Sequence, residues 1–351
     1  MFTFNRRSVI AIATSSLLLL GLGACGGEES GDAQSSPGDK KITVYSGRNE
    51  KLVGPLLKKF TERTGIAVET RYGNTPQIAA QLLEEGDRSP ADVFLSQDAG
   101  ALGAVSKKGM FASLPQETLD KVPGTYRSNG GDWVGVTARA RVLVYNPDLV
   151  PADKLPRSVF ELTGPEWKGK VGVAPTNASF QAFITAIRVQ HGEAKAKEFL
   201  AGLKANDPQI RENNGQILED VDSGKIAVGL INHYYLGELA KERGTTPDGL
   251  KAKLHFFPDG DTGALVNVSG VGILKRAAQD PDAQAFVDYL LSPEAQQYFA
   301  EQTFEYPVVA GVSGPAGVPP LSELSVPEID LNDLDTLDET NALITESGLV
   351  P

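Results

Sequence analysis

Residues 42–96 read ITVYSGRNEKLVGPLLKKFTERTGIAVETRYGNTPQIAAQLLEEGDRSPADVFLS. Residues 42–45 (ITVY) are a short β-rich run. Residues 51–64 place Leu52, Val53, Leu56, Leu57 and Phe60 at a helical period, and Gly65 is the kind of residue that stops a helix. Residues 66–71 (IAVETR) alternate apolar and polar like a strand. Residues 76–85 return to a helical pattern, with Ile78, Leu82 and Leu83 on one face, and residues 92–95 (DVFL) are a third strand. Strand–helix–strand–helix–strand at this spacing predicts a parallel sheet with crossover helices, so the fold class is α/β.

The pattern recurs downstream. Residues 170–174 read as a strand before a helix at 179–190, and residues 226–231 as a strand before a helix at 234–243. A strand at 270–274 precedes helical stretches at 281–291 and 293–302. Two groups of βα units emerge, about 42–135 and 140–265. Residues 132–145 (DWVGVTARARVLVY) read as long extended chain and are the candidate connection between them. From residue 327 the chain is acidic and loop-like, with a final helix expected around 334–347. No short internal repeat is evident.

The chain has 351 residues, 33 Lys and Arg against 45 Asp and Glu, and a net charge of −12. With 41% hydrophobic residues it is globular, and it is long enough for two domains. An acidic balance argues against a nucleic-acid partner, which needs clustered basic residues. The sole Cys, Cys25, excludes an intrachain disulfide, a Cys-based zinc finger and an iron–sulfur cluster. His191, His233 and His255 lack metal-ligand spacing such as HExxH, and no GxSxG or GxxxxGK[ST] motif is present. These absences argue against an enzyme.

Residues 1–24 carry Arg6 and Arg7 and then an apolar run from Val9 to Leu22, the layout of a secretory signal. The run is short for a membrane span, which needs roughly 20 apolar residues. It ends at Leu22-Gly23-Ala24-Cys25, which resembles a bacterial lipobox, in which the Cys becomes the lipidated N-terminus after cleavage. Cleavage there leaves 351 − 24 = 327 residues. The arginine pair leaves export by the general or the twin-arginine route open. Residues 25–40 are Gly, Ser, Pro and charged residues without an apolar anchor, and read as a flexible tether. The expected location is the extracytoplasmic face of the cell membrane, through the lipid on Cys25.

Five stretches carry a resemblance to a known family: 42–47 (ITVYSG), 85–96 (EGDRSPADVFLS), 139–146 (RARVLVYN), 231–235 (INHYY) and 263–274 (GALVNVSGVGIL). Together they resemble the periplasmic ferric-ion-binding proteins of bacterial iron ABC transporters, over nearly all of residues 41–350. The adjacent tyrosines of INHYY are the most specific element. The resemblance implies a type II-like periplasmic-binding-protein fold of two α/β lobes joined by β hinge strands. On it, residues 41–139 with about 266–315 form lobe 1, and about 140–265 with the C-terminal helices in 316–351 form lobe 2. It further implies a monomeric receptor that delivers Fe³⁺ to a membrane permease.

Tyr234 and Tyr235 follow a strand and open a helix. At such a corner both side chains can face one crevice, at the mouth where α/β sheets bind ligands. A phenolate is a hard anionic donor suited to Fe³⁺, and a highly charged metal holds it deprotonated against a free pKa of about 10. The alternative is a pair of packed amphipathic aromatics. In the first lobe the family has a His and a Glu where this chain has Asn49 and Gln97. Glu50 and Asp98, one residue later, are the substitute donors, or else helix caps. Phe180 stands where other members have a third Tyr.

The resemblance assigns a synergistic anion, such as phosphate or carbonate, to the helix start at Asn177, Ala178 and Ser179, with Asn214. Free backbone N–H groups there favour an anion. Asn232 is a supporting residue, and Arg139 and Arg141 alternate so that both point to one side of their strand, as ligand-facing or ordinary ion-paired groups. His233 is a weaker ligand candidate. Tyr45, Tyr72, Trp133 and Trp167 read mainly as packing residues. The alternative cargo on the same fold is a small anion or organic solute such as a phosphonate, although such a receptor has no need of adjacent phenols.

Overall fold

The computed structural model describes residues 40–350. The signal, Cys25 and residues 26–39 of the tether lie outside the described residues. The strands are β1 (Lys41–Ser46), β2 (Ala67–Tyr72), β3 (Val93–Ser96), β4 (Val134–Tyr145), β5 (Val171–Val173), β6 (Gln209–Ile210), β7 (Val228–Asn232), β8 (Lys253–His255), β9 (Val266–Ile273) and β10 (Tyr306–Pro307). The helices are α1 (Glu50–Thr64), α2 (Thr75–Glu85), α3 (Ala99–Lys107), α4 (Gln116–Leu119), α5 (Ala178–His191), α6 (Glu193–Ala205), α7 (Asn214–Asp222), α8 (Tyr234–Glu242), α9 (Pro281–Leu290), α10 (Pro293–Gln302) and α11 (Leu337–Glu346).

The opening βαβ unit forms as its pattern dictates. Asn49 caps α1, and Gly65 ends it in the left-handed region at φ 73°, its N–H bonded to the Thr61 carbonyl. Val53, Leu56, Leu57 and Phe60 are buried, and Phe60 meets Phe286 of α9 edge-on at 5.2 Å. Burying side chains of this size is worth about 1.5–3 kcal/mol each. β1 pairs parallel with β2 and with β3, as the crossover helices require.

Two parallel blocks, β2-β1-β3 and β7-β5-β6, share one mixed sheet through β9 and β4. β4 is the common element. Its residues 134–140 pair antiparallel with β9, and 141–145 with β7. β10 lies against Thr137 and Ala138, and β8 against residues 143–145. Every β4 residue except Tyr145 is buried, so the strand shows no polar–apolar alternation. The fold is thus α/β with two lobes.

The C-terminal stretch touches both blocks. Leu331 and Leu334 are buried in the turn that packs on α3, while α11 packs on α5. Arg188 donates to the Thr336 carbonyl at 3.0 Å, and Lys107 pairs with Asp335 at 3.0 Å. Trp133 and Trp167 are buried packing residues. Tyr45 is buried too, its hydroxyl donating to Glu85 at 3.2 Å. Among the described residues no helix is long and apolar enough to cross a membrane.

Candidate functional site

β7 ends at Asn232, and α8 begins two residues later. The tyrosine side chains do not diverge as they would in a strand. Their rings stack at 4.4 Å with 25° between planes. Tyr234 is only 3% exposed and Tyr235 is half-buried. Burial raises both phenols above their ordinary value, Tyr234 well above it, and each also feels the carboxylate of Glu238. Without a cation, both are neutral at physiological pH.

Three guanidiniums close in on this pair, Arg139 and Arg141 from β4 and Arg48 from the turn after β1. Arg141, 2% exposed, donates through Nη1 to Ser179 Oγ at 3.0 Å and through Nη2 to the Leu230 carbonyl at 3.0 Å. Its Nη1 also lies 3.5 Å from Asn232 Oδ1, and the group sits over the rings of Phe180 and Phe183. Burial pulls its pKa down to about 9, opposed by Tyr235 and Tyr234, so it stays charged at neutral pH. Arg139 donates to the Gln97 carbonyl, with its Nε 3.8 Å from Glu305. Arg48 pairs with Glu305 at 2.5 Å, and both are buried. Glu305 also accepts from Thr303 Oγ1 at 2.9 Å and Thr137 Oγ1 at 3.2 Å. The Nε atoms of Arg48, Arg139 and Arg141 are all buried without a hydrogen-bond partner.

The start of α5 joins this network. Asn177 caps the helix: its Oδ1 accepts from the Ser179 N–H at 3.0 Å and the Ser179 hydroxyl at 2.7 Å. Asn214 donates Nδ2 to the same hydroxyl at 3.0 Å, leaving its own Oδ1 buried and unpartnered. A cavity of about 10 Å³ is lined by Arg139, Arg141, Ala178, Ser179, Asn232, Gln97 and Asp98, among others. That is room for a single water-sized body. The alternation of Arg139 and Arg141 therefore does put both on one cavity.

The first-lobe candidates are placed differently. Asn49 is exposed, and its Oδ1 is occupied capping α1 through the Lys51 N–H at 2.9 Å. Glu50, also exposed, lines a separate surface groove with Tyr72. Asp98 is buried and caps α3 through the Ala101 N–H at 3.0 Å, and burial raises its pKa. Gln97 reaches the cavity wall. His233 is buried, with Nδ1 accepting from the Ala140 N–H at 3.1 Å and its pKa lowered by burial to about 4. It is a neutral structural imidazole.

Among the described residues, no group of three or more His, Cys, Asp or Glu is placed to hold a metal. Arg48, Glu238 and Glu305 are charged neighbours of the tyrosine pair that the sequence did not single out. Glu238 had a local signal, since it follows Tyr234 by one helical turn. Glu305 had none: its partner Arg48 lies 257 residues away.

A model of the bacterial extracellular solute-binding proteins matches residues 88–330. The chain is 34% identical to the Fe(3+)-binding periplasmic protein of Serratia marcescens, over 91% of this chain and 93% of that one. It is 32% identical to the major ferric iron-binding protein of Neisseria meningitidis serogroup B, over 90% and 95%. In three dimensions it is similar to iron-bound HitA from Pseudomonas aeruginosa, with a TM-score of 0.83 and 37% identity, covering 88% of this chain and 99% of that one.

Proposed function

Because this chain belongs to the bacterial extracellular solute-binding proteins, a family that binds solutes for transport, we propose that it captures ferric iron on Tyr234 and Tyr235 and delivers it to an ABC permease. The stacked tyrosine pair carries this reading. The two phenols supply two hard anionic oxygens once Fe³⁺ displaces their protons. The ferric-binding names of the relatives support the choice of cargo.

An anion completes the site. Two phenolates cancel two of the three ferric charges, and the guanidiniums of Arg48, Arg139 and Arg141 repel the cation. An anion such as phosphate or carbonate between iron and arginines removes that repulsion and accepts the free N–H groups. Its seat is Asn177, Ala178 and Ser179, with Asn214, Asn232, Arg139 and Arg141, where the cavity of about 10 Å³ has to widen to admit it. Of the other candidates, Asn49 and Asp98 serve as helix caps and Glu50 faces another groove, while Gln97 and Asp98 line the cavity beside Arg139 and Arg141.

Capture follows closure of residues 41–139 with about 266–315 against about 140–265, on hinge strands β4 and β9. The receptor works as a monomer at the extracytoplasmic face, held by a lipid on Cys25. A second reading is favoured by the three unpartnered arginine Nε atoms: the same fold receives a small anion such as a phosphonate without iron. Ferric titration of Tyr234→Phe and Tyr235→Phe tests the first reading. Each variant keeps its ring packing and is expected to lose about 100-fold or more in affinity, or about 2.7 kcal/mol. Unchanged titrations in both would reject it.

A further inference from the structure

The contact that holds the tyrosine helix in place breaks two local rules at one point. His233, Gly237 and Lys241 recur every four residues, so they form one stripe along α8. All three dock on residues 302–306. The His233 ring stacks on Tyr306 at 4.5 Å. Lys241 Nζ donates to Gln302 Oε1 at 2.9 Å and lies 6.0 Å from the Phe304 ring centroid. Between them, Phe304 lies flat against Gly237, where an added Cβ would stand 2.4 Å from the ring.

Glycine is the poorest helix former after proline, yet it occupies the middle of a short helix. Phe304 has φ 56°, a left-handed conformation that is a genuine outlier for a bulky residue. The chain there turns from α10 into β10. Thr303 and Glu305 both donate backbone N–H to the Phe299 carbonyl, at 3.2 Å each. This turn aims Glu305 inward at Arg48 and Phe304 outward at α8. Tyr234 and Glu238 occupy the adjacent face of the helix.

We propose that Phe304, seated on Gly237, is the positioning residue that fixes the rotation and depth of α8, and through it the placement of Tyr234 and Tyr235. The functional consequence rests on the ferric reading of those tyrosines; the structural one does not. Residues that violate local preference at a single contact mark a place where geometry outweighs propensity.

The test compares Gly237→Ala, Phe304→Gly and the double variant in the full-length protein. Amide hydrogen exchange of α8 is read without metal, and ferric affinity and the tyrosinate charge-transfer band with it. Alanine is the better helix former, so propensity alone predicts slower exchange in Gly237→Ala. The positioning contact predicts exchange faster by about 10-fold, and affinity weaker by about 10-fold with a displaced band maximum. A merely destabilised fold lowers the band's amplitude without moving it. In the double variant the methyl occupies the space left by the ring, and exchange returns toward wild type. Slower or unchanged exchange in Gly237→Ala, or a double variant no better than the single, would overturn the proposal. Should Gly237→Ala not fold, Phe304→Gly alone decides: faster α8 exchange supports it, and unchanged exchange and affinity overturn it. A wild-type protein without a ferric band removes the cargo reading while the exchange result stands.

Discussion

Ferric binding should release protons, and their number follows from the structure. Tyr234 and Tyr235 have phenols raised above their ordinary value, chiefly by burial. At pH 7 each is fully protonated without metal, so ligation expels one proton from each. Glu238 adds to this. Burial and Glu305 raise its carboxyl to about 8, opposed by Arg48 and Lys241. At pH 7 it is roughly nine-tenths protonated, and an adjacent trivalent cation returns it to the ionised form. His233, at about 4, is neutral on both sides of the reaction. The expected release at pH 7 is therefore about two protons, rising towards three as Glu238 contributes. Apparent affinity should rise about 100-fold or more per pH unit between pH 6 and 7, and weaken as pH falls. Calorimetry in two buffers of different ionisation enthalpy counts the protons, with ferric ion supplied as one soluble chelate and the chelate's own uptake subtracted. Tyr235→Phe should release one proton fewer. Release below one proton, or equal release in wild type and variant, would refute phenolate ligation.

Anion-free buffer should weaken ferric binding by about 10-fold or more, and Asn177→Asp should do likewise by repelling the anion; a titration with and without phosphate checks both. Aspartate caps a helix as well as asparagine, so the Asn177→Asp melting temperature should stay close to wild type. Glu305→Ala leaves Arg48 buried without its carboxylate and should destabilise the fold by about 3–5 kcal/mol in denaturant unfolding. Cys25→Ser should move the protein from the membrane fraction to the soluble fraction, and continued membrane association of the cleaved chain would contradict acylation at Cys25.

Local features of the sequence carried much of this architecture. The 3.6-residue period of residues 51–64 and the stop at Gly65 became α1 and its left-handed cap. The strand pattern of residues 226–231 and the helical pattern of 234–243 put the adjacent tyrosines at a corner, where both rings can face one side. The alternation of Arg139 and Arg141 placed both on one cavity. Other features depend on chain-distant pairing. Glu305 meets Arg48 only through tertiary pairing, with β10 laid on β4 and Arg48 following β1, and nothing near residue 305 signals it. Glu50 and Asp98 were ambiguous between ligand and cap because an acid at a helix start serves both; Asp98 caps α3, whereas at α1 the cap is Asn49 and Glu50 stays exposed. The Phe304–Gly237 contact was invisible for a sharper reason: each residue opposes its local preference, so propensity points away from it.

If paired phenolates hold the iron, the visible spectrum of the purified protein reports it without any variant. Tyrosinate-to-Fe³⁺ charge transfer absorbs visible light, whereas a phenol, a guanidinium or a bound phosphonate does not. The metal-free protein should be colourless, and ferric salt with phosphate present should raise a band that saturates at a single ferric ion per chain and is lost in Tyr234→Phe and Tyr235→Phe. A protein that stays colourless under those conditions, while binding phosphate or a phosphonate equally with and without iron, would contradict the account and identify an anion receptor instead.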